Sequence, residues 1–364
     1  MKQNKKYIDD ILEKSRDRRT FLKKISLGSA GLFLSHALNP DSSQSVDIVP
    51  GISDVSFVTG DDRREMMHQA LRPLEQKIKE GIKGKQVVIK PNLVGPNPLC
   101  GAHVDAVRGV LDFLKPIYKK RVIVGDSTGR TYPGPMGTAK HYELHHYYDL
   151  EKEYKIKLID LNDQGTQQLW IVDGNAHPLG VNIIDTFLDP KNYIISLTRL
   201  KTHSDVVATL SVKNIVMGSP VSHYKQVKAE GRNEKSFMHS GGFKNIHFNI
   251  FLVAQHVRPQ LSILDGLEGM EGNGPTLGTA VEHGVALAGT DMIAVDRVGV
   301  ELMGIDFNDV GYLTYCAQAG MGQSDLSKIH ILGDDPYRYK ITYKLHENIE
   351  KQLKWKEGIA VDIK

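Results

Sequence analysis

From residue 87 onward the chain alternates short apolar runs with longer stretches whose apolar positions recur at helical spacing. Val87–Lys90 (VVIK) reads as a buried strand that stops at Pro91 and Asn92. Val122–Val124, Ile156–Leu161, Tyr193–Leu200, Leu261–Leu264, Val285–Ala288 and Ile329–Leu332 repeat the pattern. Ahead of them Arg63–Ile82 has helical spacing; between them Val104–Leu114 puts Val104, Val107, Leu111 and Leu114 on one stripe, and His247–His256 reads as a buried helix. Asp291–Gly304 is the clearest helix: Asp291 stands at the N-cap, Ala294, Val295, Val298 and Leu302 form the apolar stripe, and Gly304 suits the C-terminal left-handed turn. Short apolar strands separated by helices predict an α/β fold with a mostly parallel or mixed central sheet covered by helices on both faces. The segment between Leu161 and Tyr193 is less regular, and Ser219–Gly242, with His223 and His239, reads as a long polar loop.

The N-terminus has a different character. Asp17–Lys23 reads DRRTFLK and precedes a moderately apolar run, Ile25–Leu38, only 14 residues long and too short for a stable membrane span. This pattern resembles a twin-arginine export signal, with small residues at Ser35 and Ala37 for cleavage. The expected organisation is a signal peptide over residues 1–37, a linker over 38–47, an α/β domain over 48–336 and a charged C-terminal extension over 337–364. The signal implies the export machinery as a partner and a periplasmic or extracellular location. It also makes a bound cofactor an expectation, because that route carries folded proteins. With 40% hydrophobic and 24% charged residues and a formal charge of +3, the 364-residue chain reads as an ordinary globular protein and gives no electrostatic case for nucleic acid. Cys100 and Cys316 have no metal-type spacing, so this chain offers no iron–sulfur cluster.

The strand ends gather the candidate chemistry. Lys90, Asn92, Asp126, Ser127, Lys201, His203, Lys213, Asn214 and Asp265 all lie at or just past predicted strand termini, where an open parallel sheet forms its ligand crevice. Three lysines on one edge would make a site for an anionic small molecule. Lys201, His203 and Lys213 are the catalytic candidates, and Lys90, Asn92, Asp126, Ser127, Asn214 and Asn273 the ligand-binding ones. His203 and His239, with Asp265 and Glu271, are candidates for a transition metal or for proton transfer. Glu268–Pro275 (EGMEGNGP) reads either as a loop whose glycines admit a ligand or as a tight structural turn. His141, His145 and His146 contain an i, i+4 pair, but their surroundings favour a solvated helix face. Asp291 is a cap, and Asp296 is left open.

Walker, GxSxG, HExxH and GxGxxG patterns are absent. The motifs that are present occur in order over nearly all of the expected mature chain: KPN at Lys90–Asn92, GDS at Gly125–Ser127, Lys201–Gly218, Asp265–Pro275 and Ala288–Gly304. Together they resemble the family catalogued as domain of unknown function 362. The resemblance implies an α/β fold and an undefined activity. Many family members carry a ferredoxin-type cysteine cluster, which this chain lacks. The Lys/His/Lys arrangement is also distantly similar to nickel-pincer lactate racemases, in which lysine and histidine hold an organometallic cofactor. The expectation is an exported enzyme, of racemase, isomerase or redox-linked type, that binds an anionic small molecule or a metal-containing cofactor. The alternative is a non-catalytic binding or cofactor-delivery protein beside a redox partner.

Overall fold

A computed structural model describes residues 51–128, 137–222 and 233–357. The expected signal and linker, Gly129 and His223 lie outside them. Strand β1 (Ser53–Thr59) leads to Asp62, whose carboxylate accepts from Glu65 N at 3.1 Å and starts α1 (Arg63–Leu71). The spacing over Arg63–Ile82 suggests one helix, but two form. Arg72–Leu74 turns as a 3-10 segment around Pro73, which has no N–H to continue the ladder, before α2 (Glu75–Gly81). Next come β2 (Gln86–Pro91), α3 (Val104–Ile117), β3 (Val122–Asp126), α4 (Thr138–Leu144), α5 (Leu150–Glu153) and β4 (Ile156–Asp160). The irregular segment that follows is an antiparallel hairpin forming a separate sheet, β5 (Thr166–Val172) and β6 (Pro178–Ile184).

The chain continues through β7 (Asn192–His203), β8 (Val207–Thr209), α6 (Ser211–Gly218), α7 (Glu234–Phe237) and α8 (Gly242–Ala254). It then forms β9 (Leu261–Asn273), β10 (Leu277–Gly289), α9 (Met292–Leu302), α10 (Gly311–Gln318), β11 (Ile329–Gly333) and α11 (Ile349–Gln352). The main sheet runs β11-β1-β10-β9-β7-β2-β3-β4, with β8 pairing against the end of β7. β9, β7, β2, β3 and β4 are mutually parallel, β10 runs against both of its neighbours, and β1 and β11 are parallel to each other. The expected α/β fold is therefore present, with a mixed sheet.

Helices cover both faces. On one, α1 and α3 bury Met66, Leu71, Val107 and Leu111 against Val87, Ile89, Ile195, Leu197 and Ile263. On the other, α6, α8 and α9 bury Val212, Ile250 and Val298 against Val88, Ile194, Leu200 and Leu264. β7 lies between the two layers and is buried along nearly its whole length, so its side chains alternate between two cores.

One expectation is corrected here. Glu268–Pro275 is not a free loop: its first six residues end β9 and pair with β10. Gly269 is glycine because a Cβ there would lie 2.0 Å from Tyr343 Oη, so this stretch admits another part of the chain rather than a ligand. Within the charged C-terminal extension, residues 337–357 are described, and Tyr343, Gln352 and Trp355 are buried. Gln352 accepts from Val207 N at 2.6 Å and donates to His203 O at 2.9 Å, while Trp355 Nε1 donates to Asp309 O at 3.0 Å.

Candidate functional site

Parallel pairing of β2, β3, β7 and β9 brings Lys90, Asp126, the end of β7 and Asp265 to one edge of the sheet. Lys90 is 2% exposed and all three of its donors are engaged: Asp126 Oδ1 at 2.7 Å, Pro91 O at 2.8 Å and Asn214 Oδ1 at 3.1 Å. Asp126 also accepts from Leu93 N at 3.0 Å and Ser127 N at 2.8 Å. Asn214, on α6, locks the helix to the sheet. Its oxygen also accepts from Asn92 Nδ2 at 3.2 Å, and its nitrogen donates to Ser196 Oγ at 3.0 Å and Lys90 O at 3.2 Å. Gly218 closes the arrangement, because a Cβ there would stand 2.0 Å from Lys90 Cε. Asn92 Oδ1 is buried and accepts nothing among the described residues.

Alternate positions of β7 place Arg199, Lys201 and His203 on one face. Arg199 donates to Gly101 O at 3.2 Å and to Glu268 O at 2.5 Å, and pairs with the Glu268 carboxylate at 3.0 Å. Lys201 Nζ donates to Cys100 O at 2.5 Å. Its pKa falls to about 7 because it is buried, and Lys213, Arg199 and Lys90 add positive charge around it. His203 Nδ1 accepts from Asp205 N at 3.0 Å, which leaves Nε2 as the protonated nitrogen of a neutral ring. Burial and the charges of Lys213, His239 and Lys201 hold its pKa well below the ordinary value. The 3.8 Å approach of Asp205 Oδ2 to that ring is therefore not an ion pair. The same oxygen lies 3.7 Å from His239 Nδ1.

Lys213 stands one residue before Asn214 on α6 and is 7% exposed. Unlike Lys90 it has no hydrogen-bond or ion-pair partner among the described residues. Its pKa is lowered to about 7, chiefly by burial, with Asp205 opposing the shift and Lys90 adding to it. A fourth cation, Lys235 on α7, donates to Met217 O at 3.0 Å, Gly218 O at 3.2 Å and Ser127 Oγ at 3.2 Å, at the carbonyl end of α6. Burial brings it to about 7 as well. Lys235 and Asp205 are the participants that sequence reasoning misses. Asn233, a polar residue just ahead of Glu234, is the one local sign of α7, and its side chain does accept from Lys235 N at 3.1 Å.

The four residues expected at a metal are not assembled together. Asp265 is held by Arg63 at 2.9 Å, and Glu271 accepts from Lys344 N at 2.8 Å. Asn273 exchanges hydrogen bonds with Glu347, both at 3.2 Å. Glu271 and Asn273 are engaged by the C-terminal segment, although the end of β9 stays beside β7, where Thr202 Oγ1 donates to Gly272 O at 2.9 Å, a course that the loop reading of Glu268–Pro275 hides. Among the described residues no group of three or more His, Cys, Asp or Glu side chains has the spacing to hold a metal ion. His141 and His145 are not a solvated face. They are buried and stacked at 6.2 Å, with ring nitrogens engaged by Gly137 O at 3.2 Å and Gly95 O at 3.1 Å. Asp291 caps α9 as expected, accepting from Ile293 N at 2.9 Å and Ala294 N at 3.1 Å.

Among known proteins, the chain is similar to the thylakoid-associated protein sll1697 of Synechocystis sp. (strain ATCC 27184 / PCC 6803 / Kazusa), with 27% identity over 229 residues. The match covers 61% of this chain and spans 64% of that relative's length. A crystal structure of a protein from Thermotoga maritima aligns with a TM-score of 0.40 at 10% identity, covering 76% of this chain and 62% of the other. The family described as "Domain of unknown function (DUF362)" matches residues 87–301, which include Lys90, Asp126, Lys201, His203, Asp205, Lys213 and Lys235. The chain that builds this lysine-lined sheet edge belongs to the DUF362 family.

Proposed function

We propose that the chain is an enzyme that binds an anionic small molecule where the parallel strands end. The observation that carries this reading is the gathering of Lys90, Lys201, Lys213 and Lys235 around α6, with Lys213 buried and unpaired among the described residues. Burial of an unpartnered ammonium is costly, and an anion that enters beside it recovers that cost. Lys213 and Lys201 supply charge, Lys90 and Asn214 position α6, and His203 with His239 move protons. Of the two ligands expected from sequence, this arrangement favours the anion over a metal-containing cofactor. Proton abstraction beside a carboxylate, as in a racemase or isomerase, suits neutral bases next to fixed cations. Export by the twin-arginine route to the periplasm or beyond belongs to the same proposal and rests on Asp17–Lys23.

Calorimetric titration with oxalate is the test. Affinity is expected to fall as pH rises through about 7, where Lys201 and Lys213 lose the protons that attract the ligand. Lys213→Met is expected to weaken binding by about tenfold or more. Unchanged affinity in the folded variant sinks the assignment.

A further inference from the structure

The lysines of the site differ in what their nitrogens do. Lys90 and Lys235 each have three donor contacts, and Lys201 donates to a backbone carbonyl. Anchored in this way, a lysine acts as a fixed charge. Lys213 is buried on α6 with no such anchor among the described residues. The groups that interact with its charge are a carboxylate, Asp205, and two imidazoles, His203 and His239, each with Nδ1 within 4 Å of the same Asp205 oxygen. His239 is 42% exposed and can exchange protons with solvent, whereas His203 is buried and neutral. An unanchored amine, a proton relay that reaches solvent and a carboxylate to balance a cation are the components that imine chemistry requires.

We propose that Lys213 condenses with the carbonyl carbon of a 2-oxo acid whose carboxylate is held by Lys201; this rests on the anion-binding reading above. The Nζ lone pair attacks the carbonyl carbon, a C–N bond forms, and the carbonyl π pair moves onto oxygen. Two protons end on that oxygen, one from Nζ relayed through His239 and one taken from solvent through the same ring. The C–O bond then breaks and water leaves. The iminium that remains keeps one N–H, and Asp205 offsets its charge. Nothing is oxidised or reduced in the step. The neutral amine it needs is available near neutral pH because burial lowers the proton affinity of Lys213.

The test uses the whole protein, pyruvate as probe and cyanoborohydride to fix any imine as a secondary amine, followed by peptide mapping. Expected is one adduct per chain, on Lys213, suppressed by oxalate and at least tenfold more abundant than with acetone, which has the carbonyl but no carboxylate. Lys213→Arg, which keeps the charge but has no amine to condense, is expected to lose the adduct. Adducts spread over exposed lysines, or none on Lys213, overturn the proposal. If oxalate binding still depends on residue 213, the anion site survives that failure. If oxalate does not bind either, both readings fall together.

Discussion

Lys90 and Lys213 come from neighbouring elements and are almost equally buried, yet they make opposite contributions to the fold. Lys90 completes the shell of Asp126, and removing one partner of a buried pair strands the other charge. Lys90→Met is expected to cost about 3–5 kcal/mol, read from the denaturant midpoint. Lys213→Met removes an ammonium that lacks a partner among the described residues and is expected to leave stability at or above the parent at pH 6. Similar losses from both would contradict the division of roles. At this scale the sequence points to Lys90, Lys201 and Lys213, because each follows an apolar run, and passes over Lys235. It does not distinguish the anchored from the unanchored ones. That distinction depends on β2 lying beside β3, which brings Asp126 to Lys90, and on Gly218 lacking a Cβ. Neither relation is local.

Helix α6 carries Lys213 and Asn214 but spans only Ser211–Gly218, too short to persist alone. Its first turn has no cap of its own. Asp296 of α9 supplies one, accepting from Ser211 N at 2.8 Å and Val212 N at 2.9 Å. Burial raises the Asp296 carboxyl to about 8, against the pull of those two N–H groups. A carboxyl that binds its proton more tightly in the folded state contributes stability that declines as pH rises from about 4 to about 8. Asp296→Ala is expected to lower stability by about 2–4 kcal/mol, through two unpaired buried N–H groups, and to flatten that decline. Thermal melts across pH 5–8 read both effects; a melt unchanged at every pH would remove Asp296 from this role. The sequence shows α9 clearly, through Asp291 and the stripe over Ala294–Leu302, but gives Asp296 no meaning because its partners lie on another element. In β9 the glycines of EGMEGNGP mask a strand, since glycine is depleted in strands and here makes room for Tyr343.

Across the whole molecule, the alternation of strands and helices shows the α/β class, and the four parallel strands that form the site edge, β2, β3, β7 and β9, come from apolar runs that are plain in the sequence. The reversed β10, the β5–β6 hairpin and the packing of residues 337–357 are not plain, since each is decided by distant contacts. The last matters for the site. Val207 has φ of 65°, a strained conformation for a β-branched residue, and the Gln352 side chain holds its N–H where β7 turns back towards Lys213. Gln352→Ala is expected to cost about 1–3 kcal/mol and to speed amide exchange at Val207. Slow exchange retained in the variant would show that the turn holds itself.

The main sheet pairs Ser53 with Ile329, Val55 with Gly289, and Ile195 with both Ile89 and Leu261. Joining such remote partners makes folding slow. Until that closure is complete, Lys213 is an ordinary solvated lysine that keeps its proton at neutral pH. The poised amine is therefore a late product of folding: a nascent or partly folded chain is shielded from stray carbonyl compounds, and its reactivity appears only once the native topology is in place.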